Sequence, residues 1–264
     1  MKQYFNNKVI IITGAAGGIG SALVERLLKC NAKIAALDLQ VDSLNIDDNM
    51  LSLAVDICDK NKLASAVSRV QQHFGKVDIL INNAGITHLC KFTDLEEDLL
   101  EKVMTINFLA AAEITRLCLP LLKHSHGQIV AISSVAGFAP LYGRTAYSAS
   151  KHAMQGFFSS LASEVIDDGI SITIICPSFV KSRPELKAQP SSGVQSPGAV
   201  KPNTNGQDIS PEAAAKNILI AIKKRKSILY LGKVSFIAKW LSMLLPQTYL
   251  NIMTKSAKKE LKEY

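Results

Sequence analysis

Tyr147 and Lys151 stand four residues apart in the run Tyr147-Ser148-Ala149-Ser150-Lys151, which opens a helix-like stretch. Positions i and i+4 share one face of a helix, so the lysine ammonium can lie near the phenol oxygen. A phenol exchanges protons poorly near neutral pH because its ordinary pKa is about 10, and a neighbouring cation lowers that value. The pair is thus suited to giving and taking a proton at a reacting oxygen. A second cluster, Thr13-Gly14-Ala15-Ala16-Gly17-Gly18-Ile19-Gly20, follows the apolar residues 9–12 and leads into a helix-like stretch at 21–29. Glycines at 14, 18 and 20 allow a sharp turn and a close approach of backbone to ligand, while the N–H groups of a helix start favour an anion. A pyrophosphate is the expected guest. Because the spacing is Gly-x-x-x-Gly-x-Gly, not the Gly-x-Gly-x-x-Gly of other dinucleotide sites, its context has to decide.

The elements that must position these groups are legible as apolar runs at 9–12, 34–37, 51–55, 79–81, 129–132 and 172–175, with helix-length segments between most of them. Short buried strands alternating with helices predict an α/β fold, a Rossmann-like, doubly wound parallel sheet with helices on both faces. Ligands of such sheets bind beyond the carboxyl ends of the strands, where both clusters fall. The length, 264 residues, suits a single α/β domain. Residues 187–210 are rich in Pro, Gly, Ser, Asn and Gln and read as a long loop. Ser210-Pro211-Glu212 then starts a helix, with Ser as the cap, Pro at the first position and an acid in the first turn.

The formal charge of +8 is unevenly spread. Residues 181–264 hold 15 Lys or Arg against 5 Asp or Glu, so the rest of the chain is slightly acidic. Lys223-Lys224-Arg225-Lys226 precedes an apolar stretch at 228–245 that contains Lys233 and Lys239. Val234, Ile237, Leu241, Leu244 and Leu245 form a helical stripe that Phe236, Trp240 and Met243 widen. The two lysines and Pro246 argue against a membrane span, which needs about 20 apolar residues. A basic amphipathic extension over 223–264 leaves two readings, an anionic membrane surface or a cover for the substrate pocket or a neighbouring subunit, and the covered face is the default. Nucleic-acid binding has little support, since the basic run is short and no aromatic groove is evident. Five widely spaced cysteines read as reduced core thiols, and no His or Cys cluster has metal-ligand spacing. No export signal is recognisable at the start, so a cytoplasmic protein is expected.

With Asn82-Asn83-Ala84-Gly85 after one strand, Ser133-Ser134 after another and the Tyr147–Lys151 run on a helix, residues 8 to about 180 resemble the short-chain dehydrogenase/reductase (SDR) family. Ser134 lies 13 residues and Asn107 40 residues before Tyr147, matching the family's catalytic tetrad. The resemblance implies hydride transfer between a nicotinamide and an alcohol or ketone. Tyr147 would be the acid and base, Lys151 a ribose ligand as well, Ser134 the holder of the substrate oxygen, and Asn107 the residue placing a water that connects Lys151 to solvent. Asp38, eighteen residues beyond Gly20, would accept the adenosine ribose hydroxyls; with Ala15 and Ala16 where an Arg or Lys would meet a 2′-phosphate, it favours NAD over NADP.

Further cofactor contacts are implied for Ala16, Ile19, Asp56, Ile57, Asn83, Ala84 and Gly85, and for the segment containing Pro177, Ser178, Val180 and Ser182. There Ser178 replaces the family's Gly and Ser182 its Thr. Val135, Ala136, Phe138, Leu141 and Tyr142, with Thr87, His88 and Leu89, would line a pocket for a hydrophobic alcohol or ketone such as a steroid, a fatty alcohol or a polyketide-like ketone. The segment 187–210 would be a substrate-covering loop, and a homodimer or homotetramer would form through the helices around Met104 and Met154. The alternative is a dinucleotide-binding scaffold or membrane-peripheral module that uses its basic tail for partners.

Overall fold

A computed structural model describes residues 1–44, 47–181 and 208–260, the last four of them by backbone alone. A short helix α1 (Lys2–Phe5) precedes β1 (Val9–Thr13), α2 (Gly18–Leu28), β2 (Lys33–Asp38), β3 (Met50–Ala54), α3 (Lys60–Phe74) and β4 (Ile79–Asn82). The second half continues with α4 (Leu99–Met104), α5 (Ala110–Ser125), β5 (Gln128–Ile132), α6 (Thr145–Glu164), β6 (Ser171–Pro177), α7 (Pro211–Lys223), β7 (Ile228–Leu231), α8 (Lys233–Leu244) and α9 (Pro246–Glu260). The strands pair in parallel in the order β3-β2-β1-β4-β5-β6-β7. The chain therefore winds outward in one direction from β1 and in the other from β4. That reversal opens a crevice at the carboxyl ends of these two strands.

Strand β1 shows how the sheet is held. Val9 and Ile11 pack into one apolar layer with Leu63 of α3, Ile114 of α5 and Met154 of α6, while Ile10 and Ile12 pack into the other with Leu23 of α2 and Ile218 of α7. Successive side chains of a strand point to opposite faces, so a run that is apolar at every position needs helices on both sides. Local signals end the helices where expected. Asp59 caps α3 by accepting from the N–H groups of Asn61 and Lys62, and the Ser210 hydroxyl accepts from that of Ala213 at the start of α7.

The six predicted strands are present, and a seventh was not foreseen. The stretch 228–245, read as one helical segment, is divided among β7, α8 and the link to α9. Gly232, with φ +95°, breaks it after Leu231, because few other residues tolerate that backbone. Ile228 pairs with Ile174, and the following three residues with the next three of β6, so four apolar residues complete the sheet edge. Residues 99–125 form one long helical run, apolar and long enough to cross a membrane by length and composition alone. Ala110, Ala111, Ile114, Cys118 and Leu122 are buried on its inner face, which packs on the sheet. Cys118 and Cys176 are buried thiols as expected, whereas Cys30, Cys58 and Cys90 are only half-buried.

Candidate active site

The glycine turn lies at the crevice. Gly14 has φ +64°, and a Cβ placed there would come within 2.8 Å of the Ala84 Cα. A Cβ on Gly20 would lie 2.1 Å from the Gly14 carbonyl oxygen, so the first turn of α2 can pack on the loop only as glycine. The Asn83 amide donates to the carbonyl oxygens of Thr13 (3.0 Å) and Gly14 (2.9 Å), and the Thr13 hydroxyl accepts from the N–H groups of Asn83 and Ala84. Asn83 thus locks the loop after β4 to the loop after β1. Gly18, Ile19 and Gly20 form the first turn of α2, whose N–H groups have no acceptor within the helix. This narrow turn at a helix start fits the pyrophosphate of a dinucleotide.

At the end of β2, the Asp38 carboxylate accepts from the Ala16 N–H at 2.9 Å, so the acid sits against the glycine turn. Just beyond the end of β3, Asp56 accepts from the Cys58 N–H at 2.9 Å and Ile57 packs against the core. The far wall is less regular. Pro177 is the last residue of β6, the Ser178 N–H donates to the Leu231 carbonyl oxygen, and Val180 bridges to Ile209. Ser182 lies outside the described residues, as does the loop read at 187–210 apart from its last three residues.

The four polar residues singled out in the sequence come together beyond β4 and β5. Asn107 is fully buried in a turn of π-helix, Thr105–Leu109, that joins α4 to α5. Its amide nitrogen donates to the Ile86 carbonyl oxygen and the Ser150 hydroxyl, both at 2.9 Å, and its oxygen accepts from the Ile86 N–H at 2.8 Å. A Cβ on Gly85 would stand 3.1 Å from the Asn107 oxygen and 3.5 Å from the Lys151 ammonium. Glycine there keeps clear the space between the two. Wider π turns of this kind recur at functional sites because they turn a side chain out of helical register.

Ser134 caps a short turn, Val135–Gly137, its hydroxyl accepting from the Ala136 N–H at 3.1 Å. The Lys151 ammonium donates to the Ile132 carbonyl oxygen at 2.8 Å and lies 5.8 Å from the centre of the Tyr147 ring. Burial pushes that ammonium down to about 8, still above neutral pH, so it carries its charge there. Burial raises the Tyr147 phenol, while its hydrogen bond with Ser134 and the Arg144 charge pull it back down. The downward pull on this phenol comes from Ser134 and Arg144, not from Lys151 as expected, and burial outweighs it. Desolvation of the phenolate is the larger effect.

Arg144, three residues before Tyr147, was missed in the sequence. It is buried and donates to the Thr87 hydroxyl at 2.8 Å and the His88 carbonyl oxygen at 3.4 Å. The Tyr147 N–H in turn donates to His88 Nε2 at 3.4 Å. Burial and the Arg144 charge hold the His88 imidazole below its ordinary value, so it is neutral and able to accept. Thr87 and His88 thus serve to tie down the first turn of α6. Arg144 stands just before α6 in non-helical backbone, so no helical spacing points to it.

Val135 packs with Ala139, Ala238 of α8 and Tyr249 of α9, against Phe138, Leu141, Leu241 and Met253. The Tyr249 hydroxyl is buried there without a hydrogen-bond partner. Burial pushes it up to about 12. Phe138 also stacks edge-on against Tyr230 of β7 at 5.3 Å. The C-terminal helices therefore cover the apolar wall next to Ser134.

The family profile described as short chain dehydrogenase matches residues 8–191. This chain is a member of the short-chain dehydrogenase/reductase family. Over 99% of its length and 85% of the relative's, this SDR is 34% identical to "Dehydrogenase/reductase SDR family member 7B" of Bos taurus. Two solved structures share its fold. A short-chain dehydrogenase from Burkholderia cenocepacia J2315 in complex with NADP matches with a TM-score of 0.80 over 94% of this chain and 98% of its own, at 19% identity. Another, from Burkholderia phymatum in complex with NAD, matches with a TM-score of 0.76 over 89% and 92%, at 22% identity. The SDR fold binds a nicotinamide dinucleotide, and the glycine turn described above fits one.

Proposed function

We propose that this SDR is an NAD(H)-dependent oxidoreductase acting on a hydrophobic secondary alcohol or its ketone. The observation that carries the reading is the convergence of Ser134, Tyr147 and Lys151 beside an apolar wall. When bound, the nicotinamide would supply or take up hydride at the substrate carbon. Ser134 orients the substrate oxygen, and Tyr147 gives or takes the proton there. Lys151 keeps a positive charge beneath the phenol at neutral pH, and the Arg144 field adds to it. The carboxylate of Asp38 supports NAD, because a 2′-phosphate at that place would meet a like charge. The apolar wall of Val135, Phe138 and Leu141 beside Ser134 supports a steroid-, fatty- or polyketide-like substrate. Self-association as a homodimer or homotetramer through α4, α5 and α6 belongs to the same proposal, and exposed Leu109 lies on that surface.

Separate fluorescence titrations with NADH and NADPH test the cofactor choice, tighter NADH being the expected result and tighter NADPH the one that reverses it. Tyr147→Phe should bind nucleotide as before and lose turnover of apolar alcohols by about 10²- to 10⁴-fold. Turnover retained in that variant would overturn the mechanism.

A further inference from the structure

Helix α8 turns its small residues inward and its large ones outward. Ser235 is fully buried and donates to the Cys176 carbonyl oxygen at 2.7 Å, and Ala238 is buried against the wall formed by Val135 and Ala139. On the other side Phe236, Ile237, Trp240, Met243 and Leu244 are 57, 60, 48, 52 and 66% exposed. Their spacing of i, i+1, i+4, i+7 and i+8 places them on one helical face. The stripe expected to be covered is thus only partly so: Val234 and Leu241 are half-buried, but Ile237, Leu244 and Leu245 face outward. Close packing at Ser235 and Ala238 explains the choice, since only small side chains let the helix lie this near to β6 and the turn after β5.

Single exposed apolar residues are ordinary, but a continuous face of them marks a contact. Its surroundings are cationic. Lys233 begins α8, Lys255 is exposed on α9, and Lys239 lies half-buried on α8 itself. Residues 232–256 hold three Lys and no Asp or Glu. A second copy meeting this surface face to face would bring like charges together. An anionic lipid surface instead accepts the apolar side chains at the headgroup boundary and attracts the cations around them.

We propose that α8 docks this protein on an anionic membrane surface, with Phe236, Ile237, Trp240, Met243 and Leu244 inserted and the flanking lysines at the headgroups. The opposite side of the same helix covers the apolar wall beside Ser134, so docking would bring that wall within one helix diameter of the lipid. This docking stands apart from the choice of cofactor and substrate proposed above.

Trp240 is the chain's single tryptophan, which makes it a built-in probe. The full-length protein, without nucleotide, is mixed with vesicles of phosphatidylcholine alone or of an equimolar mixture with phosphatidylserine. With the mixed vesicles, tryptophan emission should shift to the blue and the protein should co-sediment; phosphatidylcholine alone or high salt should weaken both. The double variant Phe236→Ser, Ile237→Ser keeps the probe and replaces two exposed side chains. Its partitioning should fall by on the order of 100-fold at an unchanged melting temperature and oligomeric state. No shift and no sedimentation with the mixed vesicles would overturn the proposal, as would binding that the double variant leaves unchanged. A wild-type oligomer that the variant dissolves, with no lipid binding in either, would assign the face to a second copy instead.

Discussion

Replacing Lys151 by Met removes an ammonium that burial holds at about 8 instead of its ordinary 10.5. That displacement corresponds to about 3 kcal/mol of stability lost by keeping the charge inside the folded protein. The sign follows from proton binding. Below the folded value both states hold the proton and the loss is complete; between the two values the unfolded chain holds a proton that the folded one has shed, so stability recovers as pH rises; above the unfolded value nothing is left to recover. Lys151→Met also leaves the Ile132 carbonyl oxygen without its 2.8 Å donor, which costs about 1–3 kcal/mol at any pH. The net change near neutral pH is therefore small, and its pH dependence is the informative quantity. From about pH 7 to about pH 10 the variant should lose about 2 kcal/mol relative to the parent protein. Urea unfolding of both proteins, free of nucleotide and followed by circular dichroism, measures this difference directly. A difference that stays constant over the range would refute the desolvation argument, and with it the account of why this lysine is poised so close to neutral pH.

Three other outcomes follow from single contacts. Asp38→Ala should narrow the NADH to NADPH affinity ratio by about 10- to 100-fold, as expected for losing charge-assisted hydrogen bonds to a ribose, and an unchanged ratio in parallel titrations would remove Asp38 as the selector. Gly20→Ala puts a Cβ 2.1 Å from the Gly14 carbonyl oxygen; it should destabilise the protein by about 1–3 kcal/mol and abolish dinucleotide binding, both read from melting curves with and without NADH. Tyr249→Phe removes a buried hydroxyl without a partner, so the variant should be as stable as the parent or up to about 1 kcal/mol more stable; a loss larger than that would show that the hydroxyl is bonded after all.

Much of the site was legible because its residue types are set by local rules. A phenol and an ammonium four apart on a helix, a glycine turn between strand and helix, and an acid ending the second strand are patterns within short windows, and the structure brings their residues to one crevice. The apolar runs were legible for the same reason, since a strand buried on both faces must be apolar throughout. β7 was not, because four apolar residues running into a further apolar helix carry no period of their own. Arg144 carried no local signal, because it precedes the helix and its partners, Thr87 and His88, are more than fifty residues away in the chain.

The amino-acid sequence by itself determined which groups could do chemistry and in what order strands, turns and helices would present them. Only the tertiary structure decided which way each group is tuned. Tyr147 is raised, not lowered, and Lys151 drops to about 8, because desolvation depends on every side chain packed around them and not on their spacing. The outward face of α8 has the same origin. Its sequence carries a wide apolar stripe, and the contact of Ser235 and Ala238 with a distant strand and turn selects which residues are left facing out.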